Sequence, residues 1–177
     1  MNENGGAMVV FESKRLTCRS SSAGFSTVTL KARLVRMLAA HPELSAVLTI
    51  TDGRSHDVLE AADVVLVASG TATLEAALYK RPMVIAYKMP ALSAWLMRRK
   101  GRIPYVGLPN ILADEQLVPE LLQEQATPAA LADAVLAQLS DPRRRELLAQ
   151  RFSEIHQSLQ RDTVGLVAQT ILDEMRR

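Results

Sequence analysis

With 177 residues, 48% of them hydrophobic and 23% charged, the chain has the size and composition of a soluble globular protein: one domain with a real core, with or without appended helices. A formal net charge of +2 is too small to argue for nucleic acid as a partner, although a sequence pI near 8.9 permits weak attraction to anionic surfaces. Cys18 stands alone, which excludes an internal disulfide and suggests no cysteine-based metal site.

Residues 1–28 show no sustained period. Asn2-Glu3-Asn4-Gly5-Gly6 and Thr17-Cys18-Arg19-Ser20-Ser21-Ser22-Ala23-Gly24 are turn-rich, and only Met8-Val9-Val10-Phe11 is a candidate strand, so an irregular, poorly ordered segment is expected. That short apolar run is cut by Glu12 and Lys14 and makes no signal peptide. No later run is long enough to span a bilayer, and a cytoplasmic protein is expected. From Leu30 onward, Leu30, Leu34, Met37 and Leu38 recur at helical spacing until His41-Pro42 stops the pattern. Residues 46–50 read as a strand, Thr51-Asp52-Gly53-Arg54 as its turn, and residues 55–62 as a short helix capped by Ser55, with Val58 and Leu59 facing inward. His41, at a helix end, and His56, in a loop, are expected to be solvated, and together with His156 they show no ligand spacing.

Residues 61–78 are the stretch around which the chain is organised. The Val-rich run at 64–68 fits a strand buried on both faces. Gly70 lets the backbone turn tightly, Ser69 or Thr71 can cap a first helical turn, and Glu75, Ala76, Ala77 and Leu78 are good helix formers. In an open α/β sheet such a junction lies at the carboxyl end of a strand, where ligands bind. A helix N-terminus there offers unpaired N–H groups and a positive dipole end, which suit a phosphate. Glu75, about one turn later, would repel phosphate and is better suited to accept hydrogen bonds from sugar hydroxyls. A plainer reading makes Ser69-Gly70-Thr71 a helix start and Glu75 a charge that favours the dipole. Spacing alone leaves both open.

Tyr79-Lys80-Arg81-Pro82 closes that helix, and residues 83–87 make another buried strand. Strands alternating with helices at this spacing predict an α/β fold with a mostly parallel sheet and right-handed crossovers. Residues 90–100 read as a helix with Leu92, Trp95 and Leu96 on one apolar face, beside Arg98, Arg99, Lys100 and Arg102. Such a helix can rest on an anionic inner-membrane surface; a packed helix with a solvated basic end is the preferred reading. Pro109-Asn110-Ile111-Leu112-Ala113 reads as a turn whose Asn110 amide can meet a nucleobase edge or a phosphate. Residues 118–123 read as helical, and Thr127-Pro128 as the capped start of a helix over 129–139. Helices over 142–159 and 164–175 follow, the last weakened slightly by Gly165.

Four blocks, Ala68-Ser-Gly-Thr-Ala-Thr-Leu-Glu-Ala-Ala-Leu78, Arg81-Pro-Met-Val-Ile-Ala-Tyr87, Tyr105-Val-Gly-Leu-Pro-Asn-Ile-Leu-Ala113 and Val118-Pro-Glu-Leu-Leu-Gln123, resemble in order and spacing the C-terminal half of bacterial lipid-A-disaccharide synthase, from about Leu30 to the chain end. That family comprises inverting hexosyltransferases with two Rossmann-like domains facing a cleft, the GT-B arrangement. The resemblance implies a Rossmann-like three-layer α/β/α domain with a parallel sheet over residues 29–142, which binds a nucleotide sugar, and a C-terminal helical extension over 143–177. It implies transfer of 2,3-diacylglucosamine from UDP-2,3-diacylglucosamine to 2,3-diacylglucosamine 1-phosphate, releasing UDP and forming the β-1,6-linked lipid A disaccharide. The donor diphosphate would sit at the helix N-terminus formed by Ser69, Gly70, Thr71 and Ala72. Glu75 would hold ribose hydroxyls, and Asn110 would face the same cleft. Leaving-group stabilisation would come from backbone N–H groups and the helix dipole, with neither cofactor nor metal, in keeping with the absence of an Asp-x-Asp motif.

The departures concern catalysis. Family members carry an N-terminal domain that supplies most of the acceptor site and the acidic residue expected as general base, and they have a Gly-Ser-Arg loop after the first strand of the second domain. Neither is found here, and Arg19-Ser20-Ser21 lacks the preceding strand and the glycine. The chain is therefore expected to be a donor-binding half, truncated or degenerate and inactive alone, because an inverting transfer needs a base to deprotonate the acceptor hydroxyl. Residues 143–177 would expose apolar surface and invite a homodimer. Asp114 stands where the family usually has glycine, and a positive φ there would suit Asp better than most residues, at a cost. Two other classes stay open: a catalytically silent UDP-sugar module, and an interaction protein in which the Ser-Gly-Thr turn is only a cap. Other GT-B enzymes, including the peptidoglycan transferase that uses UDP-N-acetylglucosamine, share the glycine-rich turn and acidic residue but not the block at 105–113.

Overall fold

The structure, a computed structural model, describes residues 7–12, 15–20, 25–45, 47–51, 54–68, 70–88, 105–160 and 163–175. Strands β1 (Ala7–Glu12), β2 (Arg15–Ser20), β3 (Leu48–Thr51), β4 (Val64–Val67), β5 (Met83–Tyr87) and β6 (Glu120–Leu122) form one sheet in the order β3-β2-β1-β4-β5-β6. The pairs β2–β3, β4–β5 and β5–β6 are parallel, whereas β1 is antiparallel to both β2 and β4. Every strand but β1 therefore runs the same way, and the expected parallel sheet carries one reversed strand at its centre. Within the segment expected to be irregular, residues 7–12 and 15–20 supply β1 and β2. Only Leu16 and Cys18 alternate with polar neighbours in β2, a period-two signal too short to stand out, and pairing of Cys18 with Val9 and with Ile50 holds the strand.

The helices are α1 (Phe25–Ala40), α2 (Pro42–Ser45), α3 (Ser55–Ala61), α4 (Thr71–Leu78), α5 (Leu108–Ala113), α6 (Pro128–Ser140), α7 (Pro142–Leu159), and α8 (Thr163–Met175).

 Residues alternate along the strands between two cores. Val65 and Val67 of β4 and Met83 and Ile85 of β5 face Val58 and Leu59 of α3, Ala72, Ala76 and Ala77 of α4, and Leu148, Phe152 and Ile155 of α7. Val64 and Val84 face the other way, onto Val135, Leu131 and Ala134 of α6 and Leu121 of β6. Helices thus cover both faces of the sheet, which is why β4 and β5 read as unbroken apolar runs. The alanines of α4 let its backbone lie close to the sheet.

Several local expectations hold and others need correction. Thr127 caps α6, its hydroxyl accepting from the Ala130 N–H at 3.2 Å. Ser55 is not the cap of α3: Arg54 occupies that position, and Ser55 is the buried first residue of the helix. Residues 118–123 are not helical but supply β6 and a 3-10 turn at Gln123–Gln125, because the open edge of β5 pairs with Glu120, Leu121 and Leu122. Pro109–Ala113 is more than a turn, forming most of α5 with Pro109 in its first turn. The helix expected over 90–100, with Trp95 and its basic neighbours through Arg102, lies outside the described residues, as does Ser69. Among the described residues, no helix is long and apolar enough to cross a membrane.

Asp114 closes α5 in the left-handed region, at φ 53° and ψ 28°, so the position where the family usually has glycine does require positive φ. Asp114→Gly is expected to raise stability by about 0.5–1 kcal/mol, since it removes the Cβ clash at the cost of some chain entropy; chemical denaturation measures it. At the other end of the chain, α8 leaves Val167, Ile171 and Met175 exposed in one stripe at helical spacing.

Candidate functional site

The turn between β4 and α4 sits at the carboxyl end of β4, beside the point where the sheet order changes direction. Gly70 adopts φ 111° and ψ −161°, a region open essentially to glycine alone. Among the described residues, and apart from Gly70 and its chain neighbours, no atom lies within 4 Å of the place where a Cβ would stand. The strain a side chain would bring here is therefore in the backbone, and the space beside it is open. No side chain among the described residues caps α4. The first N–H groups of a helix have no partner within it, and they carry the positive end of the dipole.

Of the residues singled out in the sequence, Gly70, Thr71, Ala72 and Glu75 share this start of α4, with Thr71 exposed and Glu75 half-buried. Asn110 is placed elsewhere. It is fully buried, and its side chain brackets the backbone of Val118: Nδ2 donates to the Val118 carbonyl at 2.9 Å, and Oδ1 accepts from the Val118 N–H at 3.0 Å. Nδ2 also donates to Oε1 of Glu120 at 2.8 Å. An amide with both ends engaged inside the protein does not face a cleft, which corrects the expectation for this residue.

Three residues not singled out complete the surroundings. The Glu120 carboxylate accepts from the backbone N–H groups of Val106 at 2.8 Å and Gly107 at 2.9 Å. Thr73, fully buried, donates its hydroxyl to the Gly70 carbonyl at 2.7 Å and accepts from the Leu108 N–H at 3.3 Å. Gly107 presses on β5 so closely that a Cβ would stand 2.2 Å from Cδ1 of Ile85. The amides that lead into α5 are thus occupied by Glu120 and Thr73, whereas no side chain among the described residues caps the start of α4. The sequence holds only one trace of this, the glycine within Tyr105-Val-Gly-Leu-Pro-Asn.

A sheet with helices on both faces and an open, glycine-led helix start at the carboxyl end of a strand defines a Rossmann-like α/β domain, the arrangement of the C-terminal half of a GT-B glycosyltransferase. The family model for Lipid-A-disaccharide synthetase matches residues 23–171, and the chain belongs to the lipid-A-disaccharide synthase family. It is 54% identical over 147 residues to the lipid-A-disaccharide synthase of Burkholderia vietnamiensis, covering 83% of this chain and 37% of that one. Against the lipid-A-disaccharide synthase of Cupriavidus pinatubonensis it is 52% identical over 151 residues, covering 85% of this chain and 37% of that one. The chain therefore spans little more than a third of the length of these relatives.

Proposed function

We propose that the chain is the donor-binding half of a lipid A disaccharide-forming glycosyltransferase, which moves 2,3-diacylglucosamine from UDP-2,3-diacylglucosamine to 2,3-diacylglucosamine 1-phosphate and releases UDP. The observation that carries this reading is the start of α4 behind Gly70, which no side chain among the described residues caps, in a member of this family. The donor diphosphate accepts hydrogen bonds from the N–H groups of Thr71 and Ala72, with Ser69 and Gly70 flanking it, and the helix dipole stabilises the charge that develops on the leaving UDP. Glu75 accepts from the ribose hydroxyls. Asn110 contributes from behind, by holding the loop. Inversion requires the acceptor hydroxyl to attack the anomeric carbon from the face opposite UDP, after losing its proton to a base. In such enzymes that base is expected on the N-terminal domain, so the 177 residues assayed by themselves are expected to show no turnover. In the same reading residues 29–142 form the nucleotide-sugar domain and 143–177 a helical extension. Self-association through apolar surface on residues 143–177 belongs to it as well, and contact of the basic stretch at 90–102 with the cytoplasmic face of the inner membrane is the lesser alternative to a packed helix.

Calorimetric titration with UDP tests the reading. Saturable binding is expected, weakened about tenfold or more in Glu75→Ala by loss of charge-assisted hydrogen bonds, and abolished in Gly70→Val, which both strains the turn and crowds the N–H groups. A folded chain that binds no UDP would retire the donor reading. UDP binding without turnover when an N-terminal half is supplied in trans would instead leave a silent UDP-sugar module.

A further inference from the structure

Two sets of hydrogen bonds, joined by the backbone from Gly107 to Leu108, run from the edge of the sheet to the start of α4. They begin at Glu120 on β6, whose carboxylate holds the N–H groups of Val106 and Gly107. The next amide in the chain, Leu108 N–H, donates to the Thr73 hydroxyl, and that hydroxyl donates to the Gly70 carbonyl. Gly70 is the residue whose unusual backbone sets the direction of the open N–H groups.

We propose that Glu120 is a positioning residue for the donor phosphates, acting through Leu108 and Thr73 on Gly70 and touching no ligand itself. This rests on the donor reading of α4. The chemistry requires a carboxylate: two oxygens serve three N–H donors, from Val106, Gly107 and the Asn110 amide. Glutamine would offer one acceptor and turn its own N–H groups toward a donor, and aspartate would fall short of the turn. The close approach of Gly107 to Ile85 is what brings the turn within reach of β6. A rival effect has the opposite sign. A carboxylate near bound phosphates repels them, so if charge alone mattered, removing it would tighten binding.

UDP titration of the full chain separates the two. Glu120→Gln and Glu120→Asp are both expected to weaken UDP binding about tenfold, as small misplacements of binding groups do. Thr73→Val, which cuts the same line at its next link while conserving shape, is expected to do likewise, and Thr73→Ser, which keeps the hydroxyl, to restore affinity. Val135→Ala, on the opposite face of the sheet, is the control: it lowers the melting temperature and leaves affinity unchanged. Unchanged or tighter binding in Glu120→Gln or Thr73→Val overturns the proposal. If the wild-type chain binds no UDP, the donor reading fails separately, and amide exchange at residues 71–74 decides the positioning claim. Faster exchange in Thr73→Val than in Val135→Ala sustains it, and equal exchange overturns it.

Discussion

Asn110→Leu is expected to remove about 3–5 kcal/mol of folding stability, a large part of the margin of an ordinary domain. Leucine repeats the branched four-atom skeleton of asparagine with bulkier methyl ends, so the loss does not come from a cavity. It comes from the Val118 N–H and carbonyl, left buried without their side-chain partner, and from the Glu120 oxygen that loses its amide. Each orphaned buried group costs about 1–3 kcal/mol. Urea denaturation measures the effect as a lower midpoint at unchanged slope. Asn110→Asp is expected to be destabilising too, because it keeps the acceptor for Val118 but sets a second carboxylate against Glu120. A leucine variant as stable as the wild type, but with UDP binding lost, would return Asn110 to the cleft as a ligand contact.

Phe152→Ala is expected to cost about 3–5 kcal/mol, the range for truncating a fully buried aromatic side chain. Phe152 is the largest fully buried side chain among the described residues. It lies in the core that joins α3, α4 and α7 to the sheet, and α7 packs against α4, α5 and α6. The loss therefore falls on the platform beneath the candidate site. Leu147→Ala, on the exposed face of the same helix, is expected to change stability by no more than about 0.5 kcal/mol. Thermal melts of the two variants side by side measure the contrast. A small effect at Phe152 would mean that α7 does not dock on α4 in solution.

The junction at 64–78 is legible because its signals are local. A Val run, a glycine with no side chain to hinder φ 111° and a string of helix formers need no distant partner to be recognised. Asp114 is legible for the same reason, since one residue's own φ decides the matter. Glu120 is not. Its neighbours Leu121, Leu122 and Gln123 carry helix propensity, and only the unpaired edge of β5 makes the segment a strand. Asn110 reads the same whether its amide meets solvent or Val118, and nothing in its immediate neighbours tells which.

By itself, then, the sequence determines the α/β class, the family and the glycine-led start of α4, because these rest on local propensity and on contiguous motifs. Only the tertiary structure decides that β1 runs against its neighbours, that Asn110 turns inward, and that Glu120 reaches Gly70 through Leu108 and Thr73. Burial and the pairing of polar groups depend on which distant segments meet, and that is a property of the folded chain.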